Sequence, residues 1–219
     1  MRTDFRSDRC GKDRLQNVET KRSGPIGRPR GFDADEALER AMLVFWEHGY
    51  EGASLSQLEA AMGITRTSMY AAFGNKEQLF RKALGRYDAG PAAYGDRAMK
   101  KPTAREVATA FLAGAVMATT RPGGPAGCLG VQGALATGDA GRAAHDALGA
   151  WREDGGARLR RRFQRAVDEG DLPPGSDAGR LARYVMTVSF GIAVQAAGGT
   201  SRAELQEVAD VALSNWPSG

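Results

Sequence analysis

Apolar residues recur along this chain at spacings of three and four, in blocks separated by capping residues, Gly and Pro. Ala34, Ala37, Leu38, Ala41, Val44 and Phe45 form one such face. Asp33 and Glu36 stand ahead of it at capping-box spacing, which predicts a helix running to His48. Ser54 and Gln57 open a second helix with Leu55, Leu58, Ala61 and Met62 as its stripe, and Gly63 follows as a helix-ending residue. Ile64 can then turn inward, and Thr65 can cap a third helix, Arg66 to Phe73. Asn75 and Gln78 cap a fourth, from Glu77 to about Tyr94, with Leu79, Phe80, Ala83, Leu84 and Tyr87 buried and a break at Gly90-Pro91.

The second half continues in the same period. Thr103 and Glu106 open a helix through Val107, Phe111, Val116 and Met117 to about Thr119. Residues 121–127 form a Gly/Pro loop, with no Gly-Lys-Ser/Thr to make it a phosphate loop. Cys128 to Leu135 predicts a short buried helix whose glycines permit close packing. A long helix is expected from about Ala140 to Glu169, with Leu148, Trp151, Gly155, Leu159, Phe163 and Ala166 on one stripe. From Asp177 to Ala197 the pattern is apolar on two sides: Leu181, Val185, Val188 and Ile192, then Met186, Phe190, Val194 and Ala197. Ser201 and Glu204 cap the last helix, with Leu205, Val208, Ala209, Ala212 and Leu213 inward. The predicted fold is all-α. A three-helix, homeodomain-like helix-turn-helix domain at 25–84 precedes a larger helical domain at 85–219, and 1–24 reads as a disordered tail.

The third helix has a narrow buried side, Met69, Ala72 and Phe73, and leaves Arg66, Thr67, Ser68, Tyr70 and Ala71 outward. Such a set suits a major groove: Arg reads guanine edges, Thr methyls and Ala touch thymine methyls, and hydroxyls bond phosphates. Ser54, Thr65 and Lys76 flank it and complete the expected DNA-contacting set. Arg28 and Arg30 lie in a Pro-stiffened basic arm suited to the minor groove. A second basic run, Arg158, Arg160, Arg161, Arg162 and Arg165, reads as a solvated helix face beside Glu153, Asp154, Asp168 and Glu169. His48 and Trp46 read as structural.

The run from Gly27 to Leu84 resembles the DNA-binding domain of TetR-type (TetR/AcrR) transcriptional regulators. The matching residues are Phe45, Gly49, Tyr50 and Ser54, the turn Gly63-Ile64-Thr65, and the series Tyr70, Phe73, Lys76, Glu77 and Leu79. Glu59 departs from the small apolar residue usual in that family. The stretch from Gly127 to Ala136 resembles a common subgroup of the same regulators. The resemblance implies a repressor that binds a palindromic operator on double-stranded DNA and is released by a small-molecule effector. The two-sided helix at 177–197 needs a second partner, which a homodimer reading a two-fold site would supply.

Charge and composition sharpen this reading. The net charge is +4, yet residues 1–31 hold nine Lys or Arg against four Asp or Glu, so the rest is near neutral. Two cysteines are too few for a disulfide framework and fit a reducing, cytoplasmic setting. No apolar run is long enough to span a bilayer, and no secretory signal is expected. Two distant histidines and no nucleophile or nucleotide motif argue for no catalytic or metal site and no cofactor. The expected effector pocket is drawn from Phe111, Met117, Cys128, Trp151, Met186 and Phe190. Cys128 carries an alternative, a soluble ligand-binding or thiol-redox sensor, if a helix N-terminus makes its thiol reactive.

Overall fold

The computed structural model describes residues 31–132 and 141–217, and everything below concerns these. Among them are ten helices and no strands. The first four are α1 (Ala34–Gly52), α2 (Leu55–Met62), α3 (Arg66–Phe73) and α4 (Lys76–Ala89). Then come α5 (Tyr94–Met99), α6 (Ala104–Thr119), α7 (Leu129–Gln132), α8 (Arg142–Asp168), α9 (Ala178–Ala197) and α10 (Arg202–Ser214). Reciprocal capping boxes open α2, α4, α6 and α10 at the positions expected. At α1 only half of the box forms: Asp33 accepts from Asp35 and Glu36, while Glu36 turns its own carboxylate to Arg40. Helical dihedrals in α1 stop before Gly49, so the expected end at His48 holds. Gly63 takes the left-handed conformation (φ 67°) that a side chain at this turn would resist, and α3 begins three residues later under the Thr65 cap.

Between α4 and α6 the structure is more finely divided than the periodicity suggests. The helix breaks after Ala89, as Gly90-Pro91 requires, and Tyr94 starts the separate short helix α5. The boundary drawn after Leu84 falls inside α4, which is unbroken there. Its core is likewise continuous. Phe45, Trp46, Leu58, Met69, Phe80 and Tyr87 of α1–α4 share one buried cluster with Cys128, Leu129, Leu148 and Ala193. A second cluster joins α6, α8, α9 and α10 through Leu112, Val116, Leu159, Phe163, Val185 and Leu205. The part of the predicted 128–135 helix beyond Gln132 lies outside the described residues.

The Arg run on α8 is not uniformly solvated. Arg162 is 5% exposed and donates from Nη2 to the carbonyls of Lys101 and Pro102, at 2.8 and 2.7 Å. It closes the loop before α6, so a charged residue in a helix stripe here does a packing job. Burial pushes its guanidinium pKa down.

Candidate functional site

Two sites emerge, one on α3 and one between α4 and α9. Met69 and Phe73 are buried under α3, and Arg66, Thr67, Tyr70 and Ala71 are exposed, with Ser68 half-buried. The cap of α3 is built from the same set: Thr65 Oγ1 accepts from the Ser68 amide at 3.3 Å. Ser54 similarly caps α2. Each hydroxyl therefore fixes a helix N-terminus while facing outward, where amides and dipole favour a phosphate. Arg66 is not free: its Nη2 donates to Glu59 Oε2 at 2.9 Å. Lys76 opens α4 with its ammonium 4.5 Å from the Tyr50 ring centre. Burial lowers its pKa, and Glu51 opposes that. Tyr50, Phe45 and Phe80 pack against one another beneath it. Lys82, which the sequence reading passed over, lies at the far end of α3, donating to the Ala72 carbonyl at 3.4 Å. Arg28 and Arg30 lie outside the described residues.

Five of the six expected pocket residues line one cavity of about 70 Å3: Phe111, Cys128, Trp151, Met186 and Phe190. Met117 is the exception. It is 54% exposed, on the outward side of α6, because the inward stripe of that helix runs through Phe111, Leu112, Ala115 and Val116. Polar residues missed from sequence complete the wall: Asp88, Tyr94, Asp154, Arg158 and Ser189. Their signal was present on α8, where Trp151, Asp154 and Arg158 share one helical face. Trp151 Nε1 donates to Asp88 Oδ1 at 2.8 Å. Arg158 pairs with both Asp96 and Asp154.

Cys128 is the hinge of this region. It is buried, and Tyr87 donates its hydroxyl to Sγ at 3.2 Å. Burial pushes the thiol pKa up, more than the Tyr87 bond, the amides of α7 and Arg152 pull it down. The helix N-terminus is present, but burial outweighs it, which argues against a reactive thiolate. The preceding residue reaches the helix-turn-helix half directly: Trp46 Nε1 of α1 donates to the Gly127 carbonyl at 3.2 Å. Trp46, Tyr87 and Trp151 form an edge-on aromatic series from α1 to the cavity wall. Trp46 is thus more than packing. It ties the helix-turn-helix scaffold to the loop that leads into Cys128 of the cavity wall.

None of the described helices is long and apolar enough to cross a membrane. Residues 37–83 match the family described as bacterial regulatory proteins, tetR family, and residues 106–211 match the tetracyclin repressor-like C-terminal domain. The chain is 34% identical to the HTH-type transcriptional repressor ComR of Escherichia coli, over 87% of this chain and 92% of that one. Among solved structures it is similar to a cysteine mutant of the TetR family transcriptional regulator CifR complexed with a 26-base-pair double-strand operator DNA. That match has 43% identity and a TM-score of 0.83, covering 87% of this chain and 100% of that one. A TetR transcriptional regulator from Rhodococcus sp. RHA1 is 42% identical at a TM-score of 0.60, covering 85% and 100%. With a repressor related along nearly its whole length and both halves matched, this chain belongs to the TetR family of bacterial transcriptional regulators.

Proposed function

We infer that the helix-turn-helix and the cavity are two ends of one device: the protein is a DNA-binding transcriptional repressor whose hold on its operator is set by a small effector. The observation that carries this is the pairing of an outward-facing α3, bearing Arg66, Thr67 and Tyr70, with a cavity whose lining residue Cys128 directly follows Gly127, the carbonyl held by Trp46 of α1. The likeness to CifR, solved on operator DNA, supports the DNA-binding end. Thr67 and Arg66 read bases, and Ser54, Thr65, Ser68, Tyr70 and Lys76 hold phosphates. The arm carrying Arg28 and Arg30 adds contacts in the minor groove. Two copies join through α9 and α10, which gives the two-fold symmetry a palindromic site requires. The protein works in the cytoplasm, where the DNA is. An occupied cavity favours an arrangement of the two α3 helices that no longer matches the operator spacing. That is a population shift set by differential affinity.

The test is binding to the DNA flanking the protein's own coding sequence, by fluorescence anisotropy at several salt concentrations. A sequence-specific site, with affinity that falls steeply as salt rises, is expected. Equal affinity for operator and random duplex would overturn the reading.

A further inference from the structure

The charges around the cavity are unbalanced in a way that selects its ligand. Asp88 is half-buried, and its hydrogen-bond partner is the Trp151 indole N–H. Among the described residues no Lys, Arg or His lies within ion-pair distance of Asp88. The one basic side chain in the wall, Arg158, is already held by Asp96 and Asp154. Arg152 stands behind the wall, with Nη1 given to the Gly130 carbonyl at 2.7 Å. Carboxylate is therefore in excess in the wall. The same wall carries apolar and aromatic side chains, Phe111, Trp151, Met186 and Phe190, with Trp151 next to Asp88. Aromatic faces attract cations, and their attraction grows where water is excluded.

We propose that this cavity takes a compact alkylammonium ion, with the ammonium beside Asp88 and the Trp151 ring and the alkyl part against Phe111, Met186 and Phe190. A carboxylate ligand would meet Asp88 and Asp154 with like charge and find no unpaired cation in the wall. A neutral ligand would leave Asp88 without a counter-charge when water is displaced. Size is limited too: a dry cavity of about 150 Å3 holds benzene, and this one measures about 70 Å3. The ligand has only a few heavy atoms beyond its nitrogen. The proposal rests on reading the cavity as the effector site, and its test keeps the two apart.

The probes are ethylammonium, ethanol and acetate, which share one two-carbon chain and differ in charge. Each is titrated into the full-length protein and into Asp88→Asn by calorimetry, with melting temperature followed in parallel. Asparagine keeps an oxygen for the Trp151 N–H and removes only the charge. Ethylammonium is expected to bind most tightly and to lose about tenfold in Asp88→Asn, the loss of one ion pair. Ethanol is expected to bind more weakly and equally to both proteins. Asp154→Asn, at the exposed rim, serves as the second variant if Asp88→Asn melts early, with a smaller loss in the same direction. Equal or tighter binding of ethanol or acetate, no loss in either variant, or no binding of any probe would overturn the proposal. Operator anisotropy with the same probes reads the effector role separately. Asp88-dependent binding of ethylammonium that leaves operator affinity unchanged keeps the cation site and removes its role in DNA release. Release by ethanol alone keeps the effector cavity and removes the cation.

Discussion

Arg66 and Glu59 face each other across the turn of the helix-turn-helix, Nη2 to Oε2 at 2.9 Å. The acidic residue that departs from the family pattern is therefore the partner of the residue expected to read bases. Both lie in reach of solvent, where an ion pair is weak and easily exchanged. A guanine edge offers Arg two acceptors in fixed geometry. DNA binding would trade one partner for the other. Arg66→Ala is expected to lower operator affinity roughly ten- to hundredfold and to flatten the preference at one base position. Glu59→Gln removes a negative charge facing the phosphates and releases Arg66, so affinity for operator and random DNA should both rise. Anisotropy on the operator and its single-base variants checks both. Unchanged base preference in Arg66→Ala would remove Arg66 from the reading set.

Lys76 is expected to act on every sequence alike. It sits at the first turn of α4 with its ammonium over the Tyr50 ring, so the charge is positioned before DNA arrives. Lys76→Ala should weaken operator and random DNA by the same factor. The slope of log affinity against log salt should fall by about one unit. A loss confined to the operator would mean that Lys76 touches a base.

How much of this was legible in the sequence depends on what each residue answers to. Caps and periodicity are local, so Ser54, Thr65, Asn75, Thr103 and Ser201 marked their helices correctly. Apolar character found five cavity residues because a cavity is a defect in a core, and core residues are visible in the stripe. Asp88, Asp154 and Arg158 stayed hidden because a polar residue on a helix ordinarily faces water. Only the crossing of α4 and α8 brings Asp88 and Arg158 into the cavity wall, with Asp154 at its rim. Arg162 was misread for the same reason. Met117 failed by a fraction of a turn, since a wide apolar stripe does not say which edge is covered. Trp46 could be placed in the core, but its bond to Gly127 spans 81 positions and has no local signature.

Of the two stripes that suggested a dimer, only the second, with Val194 and Ala197, reaches the exposed surface. Ile192 is 1% exposed and belongs to the protomer's own core, and Val188 is half-buried. Among the described residues, large exposed hydrophobics gather instead on α9 and α10: Tyr184, Val194, Val208 and Val211. Val194 is 59% exposed and Val211 71%. Val194→Glu or Val211→Glu should give a folded monomer of about half the dimer mass by light scattering, with operator binding lost. Ile192→Glu should unfold the protomer instead, because it places a charge in a packed core. A Val194→Glu, Val211→Glu double variant that remains dimeric would move the interface elsewhere.

Alkaline pH should loosen the fold at the junction of α4 and α7. Burial raises the Cys128 thiol above its ordinary value of 9.0, and the Tyr87 phenol well above 10.0. The folded state holds the neutral forms, while the unfolded chain ionises at ordinary values. These groups leave stability unaffected below about pH 9 and reduce it progressively as pH climbs from there. Melting temperature should fall from pH 9 upward, and less steeply in Tyr87→Phe. Thiol reagents should label Cys128 slowly in the native protein and fast in denaturant. Rapid native labelling with loss of operator binding would restore the thiol sensor.

Gly130 offers a test of the cavity wall that does not depend on any ligand. A Cβ added there would stand 2.2 Å from Cζ3 of Trp151 and 2.6 Å from its Cε3. Such distances force the indole to move. The indole cannot retreat freely, since its N–H is held by Asp88 and its ring by Tyr87. Gly130→Ala should therefore cost about 1–3 kcal/mol by denaturant melt, in the range of an overpacked core. Relocating the ring should also close the cavity, because Trp151 is part of its wall. Gly156 lies on α8, the helix of Trp151, with nothing near its Cβ position, so Gly156→Ala serves as the control. There a helix interior gains alanine without a clash, and stability should rise by about 0.5–1 kcal/mol. If Gly130→Ala were as stable as Gly156→Ala, the close packing of α7 on Trp151 would be refuted, and the cavity boundary with it.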